Sequence, residues 1–147
     1  MLTRTQRYAA QIIGQVTGVP EEQRKKYGTM AHKLPVLVRT AGLAQALAFV
    51  ECRGSEGEGQ KLLLDHLAAA VGQAPRNTLL NASRTAGLRE YRRLTHEVLA
   101  ALEWYKRFAE SVLDVLPGDE PGGDDDEHQE ANAHADEAEA QAATTGR

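Results

Sequence analysis

From Leu88 to Leu116 a mainly apolar stripe recurs in alternating steps of three and four: Leu88, Tyr91, Thr95, Val98, Leu102, Tyr105, Ala109, Val112 and Leu116. At 3.6 residues per turn this spacing keeps one side of an α-helix of about eight turns apolar. Arg89, Arg93, His96 and Arg107 fall on the opposite side. A helix this long with one apolar stripe must bury that stripe against other elements, and the rest of the chain supplies helices. Two Ile, two Phe and one Trp leave too few strand formers for an all-β fold.

Upstream, Thr3 followed by Gln6 is the capping-box arrangement, and Ala9, Ile12, Ile13 and Val16 form the stripe of a first helix. Gly18 stops it, and Pro20-Glu21-Glu22 opens the next. That second segment carries Tyr27, Met30, Leu34, Leu37, Val38 and Ala41 on one side. Pro35 removes a backbone donor there, so a kink or a break into two helices is expected near Lys33-Leu34. Gly42 is a stop, and Leu43, Ala46, Leu47 and Val50 form a third stripe. Gly54–Gly59 reads as a loop, and Leu63, Leu64, Leu67, Ala68 and Val71 as a helix ended by Gly72. A short helical piece, Thr78–Ala82, follows Asn77 as its expected cap. The fold class expected is all-α, a single helical bundle of about five or six helices.

The net charge of −4 averages two unlike parts. Residues 1–116 hold 16 basic and 11 acidic side chains, for +5, whereas residues 117–147 hold one Arg and ten acids, for −9. The second part contains no Val, Leu, Ile, Phe, Trp, Tyr or Met, so it cannot offset the entropy of ordering by burying apolar surface. The organisation expected is therefore a helical bundle domain over 1–116 and a disordered acidic tail over 117–147. Apolar runs are too short for a membrane span, and the stretch Met1–Arg7 lacks the apolar run of a secretory signal. A single cysteine, Cys52, rules out an internal disulfide and points to a reduced, cytoplasmic setting.

Groups suited to catalysis are sparse. No nucleophile-elbow pattern or phosphate-cradling glycine loop occurs, and Gly54–Gly59 carries two Glu that would repel phosphate. The five histidines form no zinc pattern, and no metal or other cofactor is expected. Asp65 and His66 are adjacent, but neighbours on a helix point about 100° apart and would not share a face. Cys52 is expected as a semi-buried small apolar residue. Trp104 belongs at the edge of the core, with a partner-facing anchor as the second reading.

The basic side chains cluster. Arg24-Lys25-Lys26, Lys33 and Arg39 lie along the second segment; Arg76 and Arg84 precede the last helix; Arg89, Arg92 and Arg93 mark its first turns. Arg89 and Arg93 are i, i+4 neighbours with His96 one turn on, a row able to meet successive phosphates, for which planar guanidinium groups are suited. The residues expected to bind a nucleic-acid backbone are Lys25, Lys26, Lys33, Arg39, Arg84, Arg89, Arg92 and Arg93. An ordinary solvated face, with arginines paired to Glu90, Glu97, Glu103 and Glu110, is the competing reading. Nothing matches a base-reading module, so contact would be to backbone and shape.

Three segments resemble a known family. They are Lys25-Lys26-Tyr27-Gly28, the run from Lys33-Leu34-Pro35 through Gly42-Leu43-Ala44-Gln45-Ala46-Leu47-Ala48-Phe49, and Leu94-Thr95-His96-Glu97 leading into Leu102-Glu103-Trp104-Tyr105-Lys106-Arg107-Phe108-Ala109-Glu110. Together they are similar to the small helical subunit of the Cmr (type III-B) CRISPR effector complex, over most of residues 3–116. The resemblance implies a non-catalytic subunit that stacks in more than one copy beside crRNA-bearing subunits and lines the groove holding target RNA. Its implied partners are the other Cmr subunits and crRNA ribonucleoprotein, target RNA, and neighbouring copies of itself. Glu51-Cys52-Arg53 departs from the more basic ending the family leads one to expect, and the tail from Pro117 lies outside the family pattern. The tail could compete with RNA for the basic face. Two other classes fit the residues: a helical adaptor with no RNA contact, and a small ribonuclease using His66 or His96.

Overall fold

The computed structural model describes residues 1–54 and 57–119. Six α-helices make up the bundle: α1 (Arg4–Thr17), α2 (Arg24–Ala41), α3 (Leu43–Gly54), α4 (Glu58–Ala70), α5 (Arg76–Thr85) and α6 (Leu88–Ser111), with a 3-10 turn at Glu21–Gln23. The disordered acidic tail expected from the sequence lies, from residue 120 onward, outside the described residues.

The first cap forms as its sequence dictates. Thr3 Oγ1 accepts from the Gln6 amide at 3.1 Å, and the Thr3 amide donates to Gln6 Oε1 at 2.8 Å. At Gly42 a φ of +88° lets the chain turn directly from α2 into α3. The α3 start has no capping side chain of its own; instead the Ala44 amide donates to the Tyr91 hydroxyl of α6 at 3.2 Å. One core runs through all six helices, with Ile12, Tyr27, Leu34, Leu47, Leu64, Leu79, Leu102 and Tyr105 fully buried. Truncating any one of these leucines to alanine would cost about 2–5 kcal/mol.

Helix α6 packs on both α1 and α2. Arg39 near the end of α2 meets Glu103 of α6, whereas His32 nearer its start meets Val115 beyond α6, so α2 and α6 run antiparallel.

Five local expectations change. Of the kink or break expected at Pro35, the break into two helices does not occur: α2 is one helix through Pro35, where Leu34, Pro35 and Val38 are all buried and packing holds the turn. Helix α4 starts at Glu58, inside the expected glycine loop: Gly59 is buried so close to the 3-10 turn and the start of α2 that a Cβ would lie 2.7 Å from the Gln23 carbonyl oxygen and 2.9 Å from the Lys26 Cβ. Helix α5 spans Arg76–Thr85 with Pro75, not Asn77, at its cap position. Cys52 is exposed on α3. The eight-turn stripe overreaches at both ends: Leu88 and Leu116 are exposed, and the helix stops at Ser111.

Past Ser111 the chain unwinds, with Asp114 at φ +57°, a left-handed conformation that Asp tolerates. Residues 112–119 then lie as a strap across the first half of α2. His32 Nε2 donates to the Val115 carbonyl at 2.8 Å, and Thr29 Oγ1 donates to the Asp119 carbonyl at 2.6 Å. Thr29 and His32 of α2 thus hold the chain as far as Asp119.

Candidate nucleic-acid interface

The first two turns of α6 carry exposed Arg89, Arg92 and Arg93, with exposed His96 on the next. Neither Arg89 nor Arg92 forms an ion pair with a described residue. Arg93 Nε lies between two carboxylates, 3.8 Å from Glu90 and 3.9 Å from Glu97. Those separations are loose, and exposed pairs of this kind contribute about 0–1 kcal/mol.

Glu97 also receives Arg4 from the first turn of α1, Nη2 to Oε1 at 3.0 Å. One partly buried carboxylate thus holds two guanidinium groups side by side. Helices α1 and α6 part here to form an open groove of about 500 Å³, lined by Arg4, Thr5, Tyr8, Arg92, Arg93, His96, Ala100 and Trp104. Arg4 lies over the Tyr8 ring at 5.7 Å, and Arg107 lies 5.9 Å from the Trp104 ring, which stacks on Phe108 at 5.6 Å. Arg92 and His96 also border a second depression on the other side of α6, with Tyr91, Thr95 and Leu99.

The other expected residues do not converge there. Lys25 lines a depression beside Leu113, Asp114 and Asp119, at the end of α2 remote from the α6 arginines. Helix α2 separates its two ends by about 27 Å. Lys26 lies against Gly57 at the start of α4, and Lys33 is exposed on α2. Arg39 is paired with Glu103 at 3.3 Å and Arg84 with Glu51 at 2.9 Å. Of the eight, the structure brings together Arg89, Arg92 and Arg93. Glu90, Glu97 and Glu103 do pair with arginines, as the solvated-face reading expects.

Arg4 and Tyr8 line the groove although the sequence reading does not single them out. Their i, i+4 spacing in the first turns of α1 is the available signal, but their meeting with α6 leaves no trace in local periodicity. Trp104 is half-buried at the core edge, as its place off the stripe centre implies, and forms one end of the groove.

The histidines needed for RNA cleavage are far from convergence. His66 of α4 exchanges a 2.8 Å hydrogen bond between its Nδ1 and the buried Tyr27 hydroxyl, while Asp65 turns toward Arg76 at 3.5 Å. Burial lowers the His66 pKa, opposed by the nearby Asp65 charge. Burial likewise pushes the Tyr27 and Tyr105 phenols far above their ordinary range, keeping both as neutral hydrogen-bonding groups. Among the described residues no three His, Cys, Asp or Glu side chains are grouped to hold a metal, and no helix is long and apolar enough to cross a membrane.

A family model described as CRISPR-associated protein (Cas_Cmr5) matches residues 4–112. The protein described as CRISPR system Cmr subunit Cmr5 from Thermus thermophilus is 48% identical over 115 residues, which cover 78% of this chain and 99% of the relative. A crystal structure of a CRISPR-associated Cmr5 family protein, also from Thermus thermophilus, superposes with a TM-score of 0.68 at 47% identity, covering 77% of this chain and 99% of that one.

Proposed function

The chain belongs to the Cmr5 family of CRISPR-associated proteins, and we propose that this non-catalytic small subunit of the Cmr (type III-B) effector complex holds target RNA by its phosphates, chiefly through the arginine face of α6. The observation that carries the reading is the exposed row Arg89, Arg92 and Arg93, two of whose members have no carboxylate partner among the described residues. Guanidinium groups bind phosphate oxygens bidentately without reading sequence, which suits a subunit that must accept any target.

Lys25, Lys26 and Lys33 extend the charge along α2 and serve a longer strand or a neighbouring copy. Arg39 and Arg84 contribute less, since a phosphate must first displace Glu103 or Glu51. One copy neutralises only a few phosphates, so isolated binding is weak, and stacked copies on one strand sum their contacts. Other Cmr subunits and crRNA ribonucleoprotein are the partners this role requires.

The test is Arg89→Glu with Arg93→Glu in a reconstituted complex. Intact assembly with reduced retention of target RNA supports the reading. Intact assembly with unchanged retention instead identifies a helical adaptor that joins proteins without touching RNA.

A further inference from the structure

We propose that the acidic segment 120–147 of this chain docks in cis along the arginine-lined groove between α1 and α6. Three observations on the molecule converge on that occupant.

The first is charge. Residues 1–119 carry 16 basic and 12 acidic side chains, and residues 120–147 carry nine acids and one Arg. Six of those nine acids fall in a single short stretch, at Glu120, Asp124, Asp125, Asp126, Glu127 and Glu130. The groove and its rim present Arg92 together with Arg4 and Arg93, which share the single carboxylate of Glu97, and Arg89 and Arg107 lie on the same exposed side of α6. Carboxylates meet guanidinium forks in the geometry that suits both.

The second is reach. Asp119 is fixed by Thr29 at the end of the bundle where α6 terminates. From the end of α6 at Ser111, Trp104 and Arg92 lie about 10 and 28 Å back along the helix axis. Extended chain from Asp119 reaches about 17 Å by Asp124 and about 37 Å by Glu130. After a detour of one helix width, about 10 Å, the acidic stretch therefore passes the Trp104 end of the groove and approaches Arg92 at full extension.

The third is placement within the family. The family match ends at residue 112, and 115 residues of this chain cover 99% of the Thermus thermophilus relative, so the acidic segment lies outside the part shared with the family. An appended polyanion is held at an effective concentration of order mM near its own basic groove, so even feeble contacts fill the groove at low salt. Its consequence, that target RNA must displace the segment, rests on the RNA reading above; the docking itself does not.

Trp104 is the sole tryptophan and lines the groove, so it reports occupancy directly. The experiment compares the full chain with one ending at Asp119, which keeps every described contact. It also titrates a labelled peptide of residues 120–147 onto the shorter chain. The expected result is a Trp104 emission that differs between the two chains at low salt and converges at high salt. Peptide binding should saturate and weaken roughly tenfold or more at about 0.5 M salt, where screening acts within a few ångström. Arg92→Glu with Arg93→Glu should weaken it by a similar factor; Arg92→Gln with Arg93→Gln serves if the reversal unfolds the bundle. Absence of peptide binding at several mM, or binding indifferent to these substitutions, overturns the proposal. A short single-stranded RNA added to the peptide complex separates the two readings. RNA that binds without releasing peptide removes the competition. RNA that fails to bind the shorter chain removes the RNA reading and leaves the docking intact.

Discussion

Gly28 of α2 and Val115 of the C-terminal strap occupy adjoining space so tightly that a Cβ placed on Gly28 would fall 2.6 Å from the Val115 Cβ. Both flanking hydrogen bonds, Thr29 to Asp119 and His32 to Val115, depend on that approach. The glycine in Lys25-Lys26-Tyr27-Gly28 is therefore a seat for the strap. The strap in turn fixes the point from which the acidic segment departs.

Gly28→Ala should destabilise the protein by about 1–3 kcal/mol, the usual cost of forcing a methyl group into a packed site. Urea unfolding measures the loss. Because the obstruction is the Val115 side chain, Val115→Gly should recover part of the loss when combined with Gly28→Ala. Additive effects of the two substitutions would show that the strap is not the cause.

Acid should weaken the fold through His66. Burial lowers its pKa in the folded state below the ordinary value near 6.5, so the unfolded chain binds more protons across that window. Stability is then fully retained above about pH 6.5 and falls as pH drops toward the lowered folded value. His66→Asn keeps a polar group beside the Tyr27 hydroxyl but cannot titrate. Its urea midpoint should fall less than that of the unaltered chain between pH 7 and pH 5, as expected from the linkage slope. Parallel curves would remove His66 as the source.

Local features of this bundle were legible where one element carried its own signal. Thr3 and Gln6 announce a cap, Gly42 announces a turn, and the 3.6-residue stripes announce the helices, because each depends on neighbours within a few residues. The strap was not legible: His32 and Val115 meet 83 positions apart, and continuation of the stripe through Leu116 suggested more helix. Pro35 misled for a related reason, since local propensity argues for a break and tertiary burial overrides it. The α6 arginines were readable as a row. Their partnership with Arg4 was hidden, because Glu97 joins the two helices only in the folded chain.

Gln15, half-buried at the edge of the core, ties three helices together. Its Oε1 accepts from the Tyr105 hydroxyl and its Nε2 donates to the His66 carbonyl at 3.1 Å. Gln15→Ala strands both partners and should cost about 1–3 kcal/mol in urea unfolding. Gln15→Leu with Tyr105→Phe removes both members of the first bond and should cost less than the sum of the single changes. Strict additivity would mean that the two side chains do not depend on each other.

RNA affinity should separate the arginines by their partners. Each phosphate neutralised on a single strand contributes a slope of roughly −0.7 in log affinity against log salt. Arg92→Ala removes a cation with no described carboxylate partner, so it should lower affinity and flatten the slope by about that amount. Arg84 must first give up Glu51 at 2.9 Å, so Arg84→Ala should leave the slope nearly unchanged and cost under about 1 kcal/mol of stability. Glu97→Gln frees Arg4 and Arg93 from their shared carboxylate and should strengthen RNA binding at low salt. These measurements belong on the chain ending at Asp119, where the acidic segment cannot compete. Equal slopes for the Arg92 and Arg84 variants would mean that charge acts diffusely over the bundle and that the α6 row has no special part in holding RNA.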